Sequence, residues 1–186
     1  MTEPDDVLEV SSAAQYAALG HPTRLRLLFA LGRKQATISQ LATALGTRKG
    51  NIAHHLGVLR EAGMVTIAYT KPVRGGTEQY YQRSARKLHF TGEQAIAQKA
   101  LTLRVLSEEI EAAEPDPFLV LRQVHLTRAQ AAQLAATLSD LVDGVEEADE
   151  AEPRYRLLTG LFVPAAEAPA PEAPAGETPP GEASSV

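Results

Sequence analysis

The sequence predicts a mainly α fold with a β-wing, an α+β class, and three observations carry that prediction. Short amphipathic segments between residues 11 and 62 are each bounded by a capping signal or a glycine. Two β-prone runs, Met64 to Tyr69 and Thr77 to Arg83, flank a basic loop that contains Gly75-Gly76. A long helical segment, 92–114, follows them.

The elements follow in chain order. Residues 1–10 hold four acids and no base and read as a disordered arm. Ser11 or Ser12 caps a short helix through Leu19, with Gly20 at its C′ position. Pro22 suits the first turn of the next helix, where Leu25, Leu28, Phe29 and Leu31 form the apolar stripe. Arg24, Arg26, Arg33 and Lys34 occupy its remaining surface. Thr37-Ile38-Ser39-Gln40 matches a capping box and opens a helix with Ile38, Leu41 and Leu45 facing inward. Gly46 breaks that helix, and another runs from Arg48 to Ala62 until Gly63 stops it. Two helices joined by a tight glycine turn make a helix-turn-helix. With the basic hairpin behind it, the order over residues 11–91 is that of a winged helix-turn-helix.

In segment 92–114, Ile96, Leu103 and Ile110 recur every seven residues, with Ala100, Leu106 and Ala113 alongside. That pattern predicts a dimer seam of Ile96, Ala100, Leu103, Leu106 and Ile110; the plainer alternative is a stripe packed on its own domain. Pro115 and Pro117 end the helix. Residues 115–163 predict a small β-α-β unit: a strand over Phe118 to Leu126, a second capping box at Thr127 to Gln130, a helix, and a strand over Tyr155 to Val163. The helix of this unit places Ala131, Leu134, Leu138, Leu141 and Val145 on one face. Residues 164–186 contain six of the chain's 12 prolines and no Lys or Arg, and predict a disordered Pro/Ala/Glu tail.

Composition narrows the chemistry. Of the 186 residues, 44% are hydrophobic but only 5% aromatic, so the core is expected to be built from Leu, Val, Ile and Ala. The absence of Cys excludes disulfides, thiolate metal sites, Fe–S clusters and a Cys nucleophile. No apolar run approaches the roughly 20 residues of a membrane helix, and the acidic N-terminus lacks the basic region of a signal peptide. A cytoplasmic protein with no membrane partner is expected. No nucleophile–base pair, carboxylate pair, phosphate loop or metal spacing is visible, so neither an enzyme nor a metal or other cofactor is expected.

The net charge of −5 is strongly partitioned. Residues 1–19 carry −4, residues 91–186 carry −11, and residues 20–90 carry +10, with 12 Lys+Arg against only Glu61 and Glu78. A basic middle between acidic ends is the footprint of nucleic-acid binding. A solvated basic surface is the plainer account of the same charges.

Helix 48–62 concentrates the candidate chemistry. Ile52, Leu56 and Leu59 share one face, and Gly50, His54, Gly57 and Glu61 lie opposite. Each exposed glycine costs a helix about 1 kcal/mol relative to alanine. A smooth surface that lets the helix sit deep in a major groove about 12 Å wide would compensate; the alternative is simple tolerance of glycine on a packed helix. Arg48, Lys49, Gly50, Asn51 and His54 are the expected base-reading positions. Arg or Lys can donate to guanine O6 and N7, and Asn pairs bidentately with adenine. Arg24, Arg26, His55, Lys71 and Arg74 are the expected backbone and wing contacts; the four cations are equally readable as solvated surface charges, and His55 lies nearer the core border. His54 and His55 diverge by about 100° on a helix and cannot chelate a metal together.

Ala18-Leu19-Gly20-His21-Pro22-Thr23-Arg24-Leu25-Arg26-Leu27-Leu28 and Ile52-Ala53-His54-His55-Leu56-Gly57-Val58-Leu59-Arg60-Glu61-Ala62-Gly63-Met64-Val65 resemble the opening signature and the recognition helix of the ArsR/SmtB-type winged-helix repressors. The resemblance covers about residues 13–90. It implies a homodimer that joins through helices 11–19 and 92–114 and reads a near-palindromic operator. Two departures limit it. Arg48 stands where the family usually has Ser or Thr, so the cap must be remade at Thr47. The thiolates of soft-metal sensors are absent, and helix 92–114 has no His, so metal sensing is not carried over.

The expected function is a sequence-specific, homodimeric DNA-binding repressor that acts through helix 48–62 and wing 70–77. Its expected partners are double-stranded DNA, a second copy, and an unidentified small-molecule effector for which unit 118–163 is one candidate site. The alternative is a winged-helix protein-interaction module, whose exposed helix should be more apolar and less basic.

Overall fold

The computed structural model describes residues 4–32, 34–113, 118–146, 148, 149, 152 and 155–164. The chain divides into two units after Leu119. The first contains β1 (Asp5–Val10), α1 (Ala13–Leu19), α2 (Pro22–Leu31), α3 (Ile38–Ala44), α4 (Lys49–Glu61), β2 (Val65–Val73), β3 (Gly76–Arg83), β4 (Ala85–Phe90) and α5 (Ala95–Glu111). The second contains α6 (Arg128–Asp143).

Local chemistry sets the helix starts. Ser12 with Gln15, Thr37 with Gln40, and Thr127 with Gln130 each form a reciprocal capping box, satisfying amides that the first turn leaves without partners. α2 begins differently. The His21 ring accepts the Thr23 amide at Nδ1 (3.1 Å), and Pro22 occupies the position that needs no amide. The predicted remaking of the α4 cap at Thr47 is not what the structure contains. Arg48 is the cap residue without a side-chain bond, and the Thr47 hydroxyl accepts from Asn51 Nδ2 at 3.2 Å.

Aliphatic side chains from α1 to β2 fill the core: Leu19, Leu27, Leu28, Leu31, Leu41, Ile52, Leu56, Leu59 and Val65 are essentially sealed from water. α5 adds Val105 to the same cluster. In α2, Leu27 is fully buried and Phe29 only partly so, a shift of the stripe from the sequence expectation.

β2 and β3 form an antiparallel wing in register from Val65 opposite Arg83 to Val73 opposite Gly76, leaving Arg74-Gly75 as the turn. Gly75 takes φ +96°, a conformation that L side chains rarely adopt. A bulge between Ile67 and Tyr69 interrupts the ladder. A bridge from Ala36 to Tyr81 anchors the wing to the segment before α3.

Three expectations are corrected. Residues 5–10 are not a disordered arm but strand β1, paired in parallel with β4 from Asp5–Ala85 to Val10–Phe90. Partners about 80 residues apart leave no local signal, and β4 was not legible either. The Tyr16 hydroxyl donates to the Thr91 carbonyl at 2.7 Å, and Val10 is fully buried, which fixes this parallel pair on the core. The strands expected at 118–126 and 155–163 are absent, because neither segment has a ladder partner among the described residues; α6 stands between them without a β-α-β sheet. The long helix runs from Ala95 to Glu111, inside the expected 92–114. Arg33, Pro115, Pro117 and tail residues 165–186 lie outside the described residues.

Candidate nucleic-acid interface

α4 buries Ile52, His55, Leu56 and Leu59 and turns its opposite face outward. Arg48, Lys49, Gly50, Asn51, Ala53 and His54 are all exposed, so the residues expected to read bases share one accessible strip at the helix N-terminus. A Cβ added at Gly50 or Gly57 would meet no atom within 4 Å. Packing inside the molecule therefore does not require glycine at either place.

The wing lies beside the same end of α4. Lys49 lines one shallow depression together with Thr37, Ile38 and Ser39 at the start of α3 and Thr77, Glu78 and Gln79 of β3. Lys71 and Arg74 are exposed at the wing tip, with Lys71 opposite Glu78 in the ladder. Tyr69 and Tyr80 stack across the two strands with centroids 4.4 Å apart. Composition gave no sign of this pair, although its placement in two facing β-prone runs could have suggested it.

Three expected phosphate contacts are engaged elsewhere. The Arg24 guanidinium donates to the Ala17 carbonyl (2.9 Å) and the Ala18 carbonyl, satisfying the last turn of α1. Arg26 is bound to the Glu108 carboxylate of α5. His55 is only 6% exposed and packs on His21 with ring centroids 4.6 Å apart. Burial, then the neighbouring basic groups of His21, Arg24 and His54, hold the His55 imidazole below its ordinary pKa, so the neutral ring is favoured. In the free protein these three groups are thus held by α1, α5 and the start of α2 respectively, with Arg26 still partly exposed.

On α5, Ile96, Ala100, Leu103 and Ile110 are exposed, whereas Leu106 is buried within its own protomer. Gln98, also buried, donates to the Leu19 carbonyl at 3.3 Å and ties α5 to α1. The face open to a second chain is therefore narrower than the expected seam.

A helix-turn-helix domain model matches residues 19–68. An HTH-type transcriptional regulator of Mycobacterium tuberculosis (strain H37Rv) is 31% identical over 100 residues, spanning 53% of this chain and 81% of that protein. A transcriptional repressor SmtB homolog of Synechocystis is 32% identical over 80 residues, spanning 41% of this chain and 57% of that one. The chain belongs to the ArsR/SmtB-type winged helix-turn-helix transcriptional regulators. Among solved structures, it is similar to the homodimeric winged helix-turn-helix domain of a possible ArsR-family regulator of Mycobacterium bovis, at 27% identity over 56% of this chain and 86% of that one, with a TM-score of 0.34.

The α4 N-terminus and the wing tip are where the candidate DNA-contacting side chains Arg48, Lys49, Asn51, His54, Lys71 and Arg74 are exposed. Among the described residues, no group of three or more His, Asp or Glu side chains is placed to hold a metal ion. No described helix is long and apolar enough to cross a membrane.

Proposed function

We propose that this regulator is a cytoplasmic homodimeric repressor that reads a near-palindromic operator, with no catalytic activity of its own. Each α4 enters a major groove: Lys49, Asn51 and His54 address base edges, and Arg48 serves a base or an adjacent phosphate. The wing residues Lys71 and Arg74 follow the backbone or a narrow minor groove. Exposed Ile96, Leu103 and Ile110 of α5 join the two copies.

One observation carries this reading. Exposed Gly50 and half-buried Gly57 stand on α4 where an added Cβ would meet no atom within 4 Å, beside the exposed Arg48, Lys49, Asn51 and His54. A helix gains nothing internally from Gly50 or Gly57, while a close-fitting external surface does.

The test is selection from randomised duplexes with purified full-length protein at about 150 mM salt, a range where phosphate contacts alone are weakened. An enriched inverted repeat with half-sites about 34–36 Å apart supports a dimeric operator reader. Absence of any enriched motif overturns sequence-specific reading.

A further inference from the structure

Three imidazoles meet where α4 packs against the start of α2. The His21 and His55 rings have centroids 4.6 Å apart, and the His54 ring stands 5.3 Å from that of His55. The surroundings of the two inner rings hold them neutral. His21 accepts the Thr23 amide at Nδ1 (3.1 Å), which only a ring without a proton on that nitrogen can do. Protonation would replace this acceptor with a second donor, undo the cap of α2 and place a cation at the positive end of that helix. His55 is buried, and its Nδ1 has no partner to receive a new N–H.

Among the described residues, none of the charged groups acting on His55 is an acid. The start of α2 brings His21 and Arg24, α4 itself brings His54, and each disfavours a proton on His55. The Arg24 guanidinium is held in place by its bonds to the Ala17 and Ala18 carbonyls. The other elements packed closely on α4 are α1, α3 and β2. α3 has no titratable side chain, and the one on α1, Tyr16, already donates to the Thr91 carbonyl. Those of β2, Tyr69 and Lys71, lie in the half of the strand nearest the wing turn. Separation of α4 from α2 relieves a charge placed here, because it lets water reach the rings. His55 shares α4 with Asn51 and His54, so that movement displaces the exposed strip that addresses base edges.

We infer that His21 and His55 form an acid-sensitive switch, in which proton uptake draws α4 off the start of α2 and releases the operator. The inference rests on the operator reading proposed above and adds its regulation. Protons are then an effector of this regulator, taken up by the free protein and expelled when the operator binds.

Operator affinity of the full-length protein tests it, by fluorescence anisotropy on the selected duplex at fixed salt between about pH 7.5 and 5.5. The comparison is a double variant, His21→Asn with His55→Leu. Asn keeps a side-chain acceptor at the cap, Leu fills the buried place, and neither titrates. His54 is present in both proteins, so its own titration is common to both profiles. Relative to the double variant, the wild-type dissociation constant should rise with acid, approaching about tenfold per pH unit for each proton taken up per protomer. Parallel profiles overturn the switch. Loss of helical circular dichroism in step with the loss of affinity also overturns it, because the acid then unfolds the protein.

Nuclear magnetic resonance of the free protein gives a reading that needs neither DNA nor a folded variant. Over the same range, the wild-type Thr23 amide resonance should titrate together with those of Asn51 and Ile52 of α4. A Thr23 signal that does not move, or that moves without α4, overturns the switch. Absence of specific binding to any duplex at pH 7.5 overturns the operator reading and leaves this result standing.

Discussion

The His55 ring lies 4.6 Å from the ring of His21, buried between α4 and the start of α2, and its Nδ1 has no hydrogen-bond partner in the structure. His21 is itself committed to capping α2. A proton on His55 would thus enter a buried place already bordered by Arg24 and His54.

The pH dependence follows from that geometry. His55 has a folded-state pKa below its unfolded value of about 6.5. Below that value the unfolded chain binds the proton more readily, so stability contributed by the neutral ring is complete above about pH 6.5 and is lost as pH falls toward the folded pKa. Chemical denaturation between pH 7.5 and 5 should reveal this loss, and His55→Leu should flatten the profile. An unchanged slope in the variant would show that another group is responsible.

Gly57→Ala separates folding from binding. With open space around the position, the substitution should stabilise the free protein by up to about 1 kcal/mol, read as a higher melting temperature. Operator affinity should fall, because the added methyl projects toward the groove. Improved stability with unchanged affinity would remove the close-approach role of this glycine.

Reading and anchoring contacts should respond differently. Asn51→Ala or Lys49→Ala is expected to cost about 1–3 kcal/mol and relax preference at one operator position. Lys71→Ala should weaken all duplexes alike and reduce the magnitude of the salt slope by about 1. Titrations on matched and mismatched duplexes at several salt concentrations distinguish the two behaviours.

Neighbouring arginines on α2 should also diverge. Arg24→Ala leaves two α1 carbonyls without their charged donor and should cost about 1–3 kcal/mol of stability. Arg26→Ala breaks a partly exposed pair with Glu108 and should cost under about 1 kcal/mol. Urea unfolding of both variants is sufficient to compare them.

Much of the DNA-binding unit was legible because its signals are local. Thr37 and Gln40 are three residues apart, the i, i+4, i+7 pattern of Ile52, Leu56 and Leu59 lies on one helix, and Gly75 marks a turn between adjacent runs. Side-chain exposure on a surface was less legible. Arg24, Arg26 and His55 have the composition of phosphate contacts, yet their partners come from α1, α5 and the start of α2.

By itself, the sequence determined the capped starts of α1, α3 and α6, the wing, most of the aliphatic core and the outward strip of α4, since capping and periodicity act over a few residues. Only the tertiary structure decided that β1 pairs with β4, that Leu106 turns inward while Leu103 stays exposed, and that His55 is sealed beside His21. Those outcomes depend on which distant surface reaches a group first, and no local pattern encodes that competition.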